Sequence, residues 1–220
     1  MSLVTIRGYL GSGAPEVGRQ VADMLHASYV DREIIAEVAA RLHQKEQDVM
    51  AKEMPRTGLL GRITEALERS YAFGVGFEGA YLPAWEIPLN DTRYLHALES
   101  VVKELARSPS MVIYGRGGQF ILKNYPQAFH VQVVAPLEVR LKRVMQDLNL
   151  DPEVAKQEIA RFDNGIRRFI KRYFQAEVDD PVYYDLVINT NRLSFQTAAA
   201  IIVDSLQSKQ RTSDGPSKTG

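Results

Sequence analysis

The sequence predicts an α/β fold of three layers, in which a parallel sheet of about five strands lies between helices. Short apolar runs recur along the 220-residue chain, and segments with helical spacing of apolar residues separate most of them. Alternation of this kind is typical of parallel sheets that carry helices on both faces. The strand-like runs occupy residues 3–6, 28–30, 110–114, 129–135 and 185–189.

Helical spacing accounts for most of the remaining chain, except for one segment in its first half. The helical patterns cover residues 16–27, 32–43, 91–107, 136–148, 151–174 and 194–207. Residues 44–90 are rich in glycine and aromatic residues around one amphipathic stretch, and we interpret them as an insert at the edge of the sheet. The core then comprises residues 1–43 and 91–207, and the small polar residues at 208–220 predict a disordered tail.

The overall composition excludes several classes of partner and site. The 27 basic residues balance 27 acidic ones, so no net field would attract nucleic acid or an anionic membrane. The chain has no cysteine, which excludes disulfides and thiolate metal sites and agrees with a reducing cytoplasm. No apolar run is long enough to span a bilayer, and no signal segment opens the sequence. We therefore expect a cytoplasmic protein with no nucleic-acid or membrane partner and no metal site made by its own side chains.

The first strand leads into a glycine-rich turn that departs from a known phosphate-binding pattern. Residues 4–22 read VTIRGYLGSGAPEVGRQVA, which predicts a strand, a turn and a helix. Gly8 and Gly13 fit the spacing of G-x-x-x-x-G-K-[ST]. Ala14 and Pro15 stand where that motif has its lysine and its hydroxyl residue. The lysine's charge on the phosphates and the hydroxyl ligand of magnesium are therefore both missing.

The turn can still bind phosphate through its backbone. N–H groups at the N-terminus of a helix attract phosphate without any side chain, and a proline suits the first turn of a helix. Arg7 and Arg19 are the nearest candidates to supply the missing charge. A tight turn with no ligand is the alternative. The residues predicted to form the nucleotide site around this turn are Gly8, Gly11, Ser12, Gly13 and Ala14.

Further polar residues follow the second and third strands, whose carboxyl ends meet at the same edge of a parallel sheet. Arg116 stands between glycines in VIYGRGGQFIL, and arginine suits bidentate capture of phosphate. Its alternative role is to pair with a carboxylate beside a turn. Asp31 follows the second strand, where it either caps the next helix or faces bound phosphates through a metal-bound water.

Two groups of arginines lie in the helical region after the fourth strand. Arg140 and Arg143 are three residues apart, and Arg168 and Arg172 are four apart, so each pair shares a helix face. Arg167 lies beside the second pair. A charge run of this kind is either a solvated helix face or a set of groups that binds phosphate.

In their order and spacing, these motifs resemble the cytidylate kinase-like family, a branch of the nucleoside monophosphate kinases with the P-loop fold. The resemblance runs from about residue 3 to 206 and is carried by GSG…EVGRQVA, YVDREII, VIYGRGGQFIL, HVQVVAPLEVRLKRV, the D…RRFIKRYF helix and DDPVYYDLVINT. It implies a P-loop kinase core, a helical insert at 44–90 that binds the nucleoside monophosphate, and a mobile arginine-rich lid at about 136–174.

The resemblance also implies roles for single residues. Arg116 matches the arginine of a Gly-Arg-Asp element and would hold the acceptor phosphate, with Asp31 in the same substrate site. Gly117 replaces the aspartate of that element, which leaves cytosine selectivity open. The arginines at lid positions, which would close on the donor phosphates, are Arg140, Arg143 and Arg167.

The same branch has phosphate-binding loops without lysine. Residues 11–13 match its Gly-Ser-Gly-Gly pattern, from which Ala14 departs slightly and Pro15 departs further. Arg7 matches, with a shift of one residue, an arginine that stands just before the loop in that branch. The resemblance therefore implies that the loop binds nucleotide in its own way.

These observations predict an ATP- and magnesium-dependent phosphotransferase of the nucleoside monophosphate kinase type, with CMP, dCMP or a related pyrimidine monophosphate as acceptor. No general base is required, because positioning and charge dominate phosphoryl transfer. The first alternative is a pseudo-kinase, which binds nucleotide but transfers phosphate slowly or never and has a regulatory or partner-binding role. The second is a structural interaction module whose aromatic insert forms an interface, for which a homodimer is one arrangement.

Overall fold

The computed structural model describes residues 2–31, Ile34, Glu37, Val38, Arg41 and 91–213. The strands are β1 (Ser2–Gly8), β2 (Ser28–Val30), β3 (Ser110–Tyr114), β4 (Ala128–Val134) and β5 (Leu186–Asn189). The helices in the described ranges are α1 (Ala14–Leu25), α2 (Asp91–Leu105), α3 (Gly118–Ile121), α4 (Leu137–Leu148), α5 (Pro152–Phe174) and α6 (Phe195–Ser213). The strands form one five-stranded sheet in the order β2-β3-β1-β4-β5, which confirms the predicted α/β fold.

The strand pairings are all parallel, so the carboxyl ends of the strands lie at one edge of the sheet. β1 is central, with Val4 opposite Val112 of β3 and opposite Phe129 of β4. Most of β1 is buried, which explains its nearly continuous apolar run in place of an alternating pattern. This edge of the sheet carries the turns after β1 and β3, which the sequence predicts as ligand-binding segments.

Two apolar cores, one on each face of the sheet, produce the three layers. On one face α1 and α6 pack against the sheet through Val17, Val21 and Ile202, all fully buried. On the other face α2 contributes Leu98 and Val102, whose spacing of four residues places both on the buried side of the helix. None of the helices in the described ranges is long and apolar enough to cross a membrane.

The C-terminal helix extends beyond its predicted end. α6 runs to Ser213, so residues 208–213 are helical and the prediction of a disordered tail over them is wrong. Lys209 supplies the physical reason, because its ammonium donates to the Ala128 carbonyl oxygen at 2.8 Å and to Asp185 Oδ1 at 3.0 Å. These contacts hold a polar helical turn against the sheet, where composition alone predicts a free tail.

The two helices of the predicted lid pack against the first loop. α4 and α5 share a small apolar cluster formed by Val144, Ala155 and Ile159, and Leu10 of the loop packs against it. The described structure therefore joins the lid segment to the turn after β1 by apolar contact. This contact positions the arginines of α4 and α5 beside that turn.

Several predictions concern residues outside the described ranges. The predicted helix at 32–43 is described only at Ile34, Glu37, Val38 and Arg41. The predicted insert at 44–90 and the remainder of the predicted tail at 214–220 lie outside the described residues. The roles given to the insert, in acceptor binding or in a homodimer, therefore stay predictions.

Candidate functional site

The loop between β1 and α1 turns through two glycines in the left-handed region. Gly11 has a φ of +76° and Gly13 a φ of +81°, conformations that other L-residues adopt only with strain. The Ser12 N–H donates to the Tyr9 carbonyl oxygen at 2.9 Å and closes the turn. Gly13 immediately precedes α1, so the loop brings its backbone to the N-terminus of that helix.

Glycine is also required in this loop because the loop packs tightly. A Cβ added to Gly8 would lie 2.3 Å from Ser12 Oγ, and one added to Gly13 would lie 2.2 Å from Cε1 of Phe195 on α6. These separations are far below any van der Waals contact. The glycine spacing that resembles a phosphate-binding motif therefore also serves the packing of the loop against itself and against α6.

Two side chains of the loop determine what it can hold. Ser12 is fully buried, and within the described residues its hydroxyl has no hydrogen-bond partner. Such a hydroxyl fits a phosphate oxygen, to which it can donate. Ala14, at the position of the missing lysine, is fully buried in the core beneath α1. The hydrogen-bond donors that the loop contributes are therefore its backbone N–H groups and the buried Ser12 hydroxyl.

Arg143 of α4 contacts the loop from the side of β5. Its Nη1 donates to the carbonyl oxygens of Gly11 and Ser12, each at 3.2 Å, and to Thr190 Oγ1 at 3.0 Å. Its Nη2 donates to the Thr190 carbonyl oxygen at 2.8 Å, and its guanidinium lies 5.0 Å from the ring centre of Phe195. Burial lowers the pKa of Arg143 from its ordinary value. In the described structure this arginine holds the loop carbonyls, whereas the resemblance places it over the donor phosphates.

Arg140 of α4 forms a buried ion pair. Its Nη1 and Nη2 donate to the two carboxylate oxygens of Asp163 on α5, at 3.0 and 2.8 Å. Its Nη1 also donates to the Leu10 carbonyl oxygen at 3.2 Å. Because Arg140 is only 8% exposed, the alternative of a solvated helix face is wrong for this residue. Its described contacts join α4, α5 and the loop.

Three guanidinium groups surround the ring of Tyr9 at the start of the loop. The centre of its ring lies 4.4 Å from Arg7, 5.0 Å from Arg167 and 5.4 Å from Arg140, measured to the guanidinium carbon. Its hydroxyl donates to the carboxylate of Asp179. Burial raises the pKa of Tyr9 well above its ordinary value, so the phenol stays protonated as a donor. The charge missing from the loop sequence is therefore present beside it, on arginines from other elements.

The remaining predicted residues lie at separate places. Arg19 of α1 stacks on the ring of Tyr29 in β2, with the guanidinium carbon 5.6 Å from the ring centre. Of the two arginines proposed to replace the lysine, Arg7 is the one with contacts at the start of the loop. Asp31 is buried after β2, at the same edge of the sheet as Arg116. Most of the helix that it was predicted to cap lies outside the described residues.

The turn after β3 holds Arg116 in a strained conformation. Gly115, Arg116 and Gly117 all have positive φ, of 70°, 53° and 72°. A buried arginine in the left-handed region is uncommon and costs energy, a feature found more often at functional sites. The Gly115 N–H donates to the Ile6 carbonyl oxygen at 2.8 Å and ties the turn to β1. A Cβ on Gly117 would lie 2.4 Å from Cε2 of Phe174.

Two carboxylates interact electrostatically with Arg143. Burial raises the pKa of Glu16, in the first turn of α1, while its own backbone N–H and Arg19 oppose the rise. Burial also raises the pKa of Asp147 on α4, and Arg143 opposes it. Within the described ranges no group of three or more His, Cys, Asp or Glu side chains could hold a metal ion.

Comparison with known proteins identifies the family. A model of the cytidylate kinase-like family matches residues 3–192 of the chain. The chain belongs to the cytidylate kinase-like family. This membership confirms the resemblance on which the sequence-based interpretation rests.

Curated relatives of this cytidylate kinase-like chain include two cytidylate kinases. The cytidylate kinase of Staphylothermus marinus is 28% identical over 116 residues, which are 53% of this chain and 65% of that protein. The cytidylate kinase of Methanococcus aeolicus is 22% identical over 211 residues, which are 95% of this chain and 99% of that protein. The chain spans less than two thirds of the length of the first curated relatives that it matches, from 20% to 65%.

Among solved structures, the fold is shared with an uncharacterized protein from Eubacterium ventriosum. The two superpose with a TM-score of 0.67 at 17% identity, covering 94% of this chain and 99% of that one. At this low sequence identity the likeness shows that the two chains share a fold, and nothing about function.

Four residues with central contacts at the candidate site were given no site role by the sequence-based predictions: Tyr9, Asp163, Asp179 and Thr190. The last three lie within the motifs D…RRFIKRYF and DDPVYYDLVINT that carry the resemblance. Asp163 offered one signal, as a carboxylate on an amphipathic helix beside apolar residues. Thr190 offered another, as the first residue after a strand end at the ligand-binding edge. Neither signal names a partner, which is why the pairs emerge only in three dimensions.

Proposed function

We propose that this chain binds ATP at the loop between β1 and α1 and transfers its terminal phosphoryl group to a nucleoside monophosphate of the CMP type. The observation that carries the proposal is the buried Ser12 hydroxyl, which has no partner among the described residues and lies in a loop at the carboxyl edge of the sheet. Membership of the cytidylate kinase-like family supports the same reaction.

On the donor side, backbone N–H groups and arginines would bind the ATP phosphates in place of the absent lysine. The N–H groups at the start of α1 and the positive end of the helix would bind a phosphate group of ATP. Arg167 is 47% exposed, and its Nε contacts Asp179 Oδ2 at 3.3 Å. An exposed ion pair is worth about 0 to 1 kcal/mol, so Arg167 can exchange that carboxylate for a phosphate oxygen at little cost.

On the acceptor side, Arg116 would bind the phosphate of the nucleoside monophosphate. It follows β3 at the same edge of the sheet as the loop, and Gly115 and Gly117 flank it with positive φ. A guanidinium can hold a phosphate in a bidentate manner and so fix the acceptor oxygen for in-line attack. The strained backbone of Arg116 agrees with a residue held in place for function.

Magnesium bound with ATP neutralises charge on the phosphates during transfer. Pro15 has no side-chain ligand at the position where P-loops supply a hydroxyl, so this loop does not fit a magnesium ion held by the protein there. We assign no step to such an ion. The work that we assign to the chain is to bind and align both substrates and to exclude water between them.

A second candidate function is nucleotide binding with slow or absent transfer. The observation that favours it is Ala14, which is fully buried where the lysine of a P-loop contacts the phosphates. The described contacts of Arg140 and Arg143 add to it, because both groups hold protein acceptors. In this alternative the protein would act through a partner.

The test is phosphoryl transfer from Mg-ATP to a panel of nucleoside monophosphates, with Arg116→Gln as the variant. The matched control is Arg107→Gln, an exposed arginine that precedes β3 at the opposite edge of the sheet. Turnover on one acceptor that Arg116→Gln lowers at least about a hundredfold, and Arg107→Gln leaves unchanged, would support the proposal.

Other outcomes would contradict parts of it. ATP binding without turnover on any acceptor would favour the second candidate. Full activity in Arg116→Gln would remove Arg116 from the acceptor site. A protein that does not bind ATP at all would overturn both candidate functions.

A further inference from the structure

We propose that Thr190 is a positioning residue that, together with Arg143, aims and polarises the Gly13 N–H for phosphate binding. The inference rests on the proposed function of the loop and names the part of the protein that compensates for its missing lysine. No ligand is assigned to Thr190 itself, which acts through the backbone of Ser12.

The first step is the direction of the Thr190 hydroxyl proton. Thr190 is 1% exposed and directly follows β5. Its N–H donates to the Val134 carbonyl oxygen at 2.9 Å, which holds its backbone beside the end of β4. Its Oγ1 accepts from Arg143 Nη1 at 3.0 Å and lies 2.7 Å from the Ser12 carbonyl oxygen. Since the oxygen of a hydroxyl has a single proton, the shortest contact identifies the Ser12 carbonyl as its acceptor, ahead of the Val134 carbonyl at 3.4 Å.

The second step is the geometry of the peptide between Ser12 and Gly13. In a trans peptide the C=O and the following N–H point in opposite directions. Because Thr190 and Arg143 both donate to the Ser12 carbonyl oxygen, that oxygen faces β5 and α4. The Gly13 N–H therefore faces away from both. The left-handed φ of Gly13 then leads the chain directly into α1, so this N–H adds to the donors at the start of the helix.

Arg143 also polarises the peptides of the loop. A cation that donates to a carbonyl oxygen draws electron density from the peptide and makes the N–H of the same peptide a stronger donor. The two protons of Arg143 Nη1 face three acceptors, Thr190 Oγ1 and the carbonyl oxygens of Gly11 and Ser12, so at least one of these contacts is shared. Part of its positive charge thus reaches the ligand side of the loop through the backbone. A lysine would deliver its charge there directly through its side chain.

The buried Ser12 hydroxyl is an independent sign that a ligand oxygen belongs here. It is fully buried in the loop and has no hydrogen-bond partner among the described residues. A buried hydroxyl without a partner is costly, and a bound phosphate would remove that cost. The same residue that offers this hydroxyl has its carbonyl held by Thr190, so one contact positions both groups.

The experiment measures the dissociation constant of Mg-ATP by calorimetry in the full chain. Thr190→Val removes the hydroxyl with little change of shape, and Thr190→Ser restores it. The matched control is Thr212→Val, which removes an exposed hydroxyl that donates to the Ser208 carbonyl oxygen at 3.0 Å, far along α6. We expect Thr190→Val to weaken ATP binding about tenfold, and Thr190→Ser and Thr212→Val to stay within about twofold of the wild type.

Two further readouts separate positioning from general destabilisation. The amide signal of Gly13 in a nitrogen-proton correlation spectrum should shift on addition of Mg-ATP in the wild type and in Thr190→Ser, and much less in Thr190→Val. Where turnover is present, the KM for ATP should rise in Thr190→Val while the KM for the acceptor stays the same. If Thr190 had only a structural role, its replacement would not change the KM for ATP while leaving the KM for the acceptor unchanged.

If Thr190→Val does not fold, Arg143→Lys tests the same contact. A lysine keeps the charge but cannot make the paired guanidinium contacts with the loop and Thr190, so we expect ATP binding to weaken at least about fivefold.

Wild-type affinity retained in the folded Thr190→Val variant, or in Arg143→Lys where it is needed, overturns the inference and leaves the proposed function standing. A wild type that does not bind Mg-ATP overturns both. A wild type that binds ATP but transfers no phosphate contradicts only the proposed transfer, and the affinities still decide the role of Thr190.

Discussion

The hydroxyl of Tyr9 lies 2.7 Å from each carboxylate oxygen of Asp179. This contact joins the loop after β1 to the segment that follows α5. Arg167 Nε lies 3.3 Å from Asp179 Oδ2, and Arg7 Nη1 lies 3.9 Å from Asp179 Oδ1. The carboxylate thus occupies donors that the phosphate of a nucleotide would also use. It is an internal anion at the edge of the proposed nucleotide site.

We predict that Asp179→Asn strengthens ATP binding. Removal of the competing negative charge releases Arg167 for the phosphates, and the half-exposed position of the pair limits the gain to about fivefold. Calorimetry with Mg-ATP measures it. The control is Asp151→Asn, an exposed aspartate before α5 whose side chain makes no capping hydrogen bond. Weaker ATP binding in Asp179→Asn would show that the carboxylate supports the site.

Restoring the lysine should harm the loop. Ala14 is fully buried, and a Cβ placed on Gly8 would lie only 2.6 Å from the Ala14 Cβ. We predict that Ala14→Lys destabilises the fold by about 1 to 3 kcal/mol and does not raise turnover, because overpacking displaces the loop. Urea unfolding and transfer assays measure both effects, with Ala14→Met as the uncharged control of similar length. A strong rise in turnover would identify the native loop as a degenerate P-loop.

An aspartate after Arg116 should not fit this structure. Gly117 has a φ of +72°, and the ring of Phe174 fills the space where its side chain would lie. We predict that Gly117→Asp lowers the melting temperature, and that it does so less in a Phe174→Leu background. A double-mutant cycle measures this coupling. Independent, additive effects would mean that Phe174 does not restrict this position.

The buried pair of Arg140 and Asp163 should be costly to break. Both side chains are 9% exposed, and their two hydrogen bonds are the bidentate kind. We predict that Asp163→Ala destabilises the chain by about 3 kcal/mol, because it leaves a buried guanidinium without its carboxylate. The double variant Arg140→Met, Asp163→Leu should lose less than Asp163→Ala alone in urea unfolding. An equal or larger loss in the double variant would contradict this account.

Stability should fall in mild acid because of His130. Burial lowers the pKa of His130, whose Nδ1 lies 2.7 Å from Thr5 Oγ1. The folded chain therefore holds the ring neutral, and below the unfolded pKa of about 6.5 the unfolded chain binds more protons. We predict that the melting temperature drops between about pH 7.5 and 5.5, and that His130→Gln flattens this drop. The control variant is His96→Gln, which lies at an exposed position of α2. A drop of the same size in His130→Gln would assign it to other groups.

Much of the fold could be predicted because its signals are local. The apolar runs predicted all five strands to within two residues at each end, with the largest difference at the carboxyl end of β1. The glycines of the first loop predicted a turn, and the structure has a turn there with positive φ at Gly11 and Gly13. The extent of α6 was missed because the contacts of Lys209 come from distant strands.

The site could be predicted only in its location. Because parallel strands end at one edge, their order in the sequence was enough to bring Arg116 and the first loop to that edge. The arginines of α4 were assigned to bound phosphates, while their described partners are protein oxygens. Arg140 and Asp163 are 23 residues apart on different helices, and Thr190 and Ser12 are 178 residues apart. No short-range pattern contains such pairs.

By itself the sequence determined the α/β alternation, the glycine turn at the end of the first strand and the family to which the chain belongs. These properties follow from backbone preference and from the periodicity of apolar residues, which act over a few residues. Three features were decided only by the tertiary structure. Arginines from other elements lie against the ring of Tyr9, Ala14 is buried in the core, and the Thr190 hydroxyl donates to the Ser12 carbonyl oxygen. The reason is that a hydrogen bond or an ion pair depends on which side chains the packing of helices on the sheet brings within about 3 Å of each other.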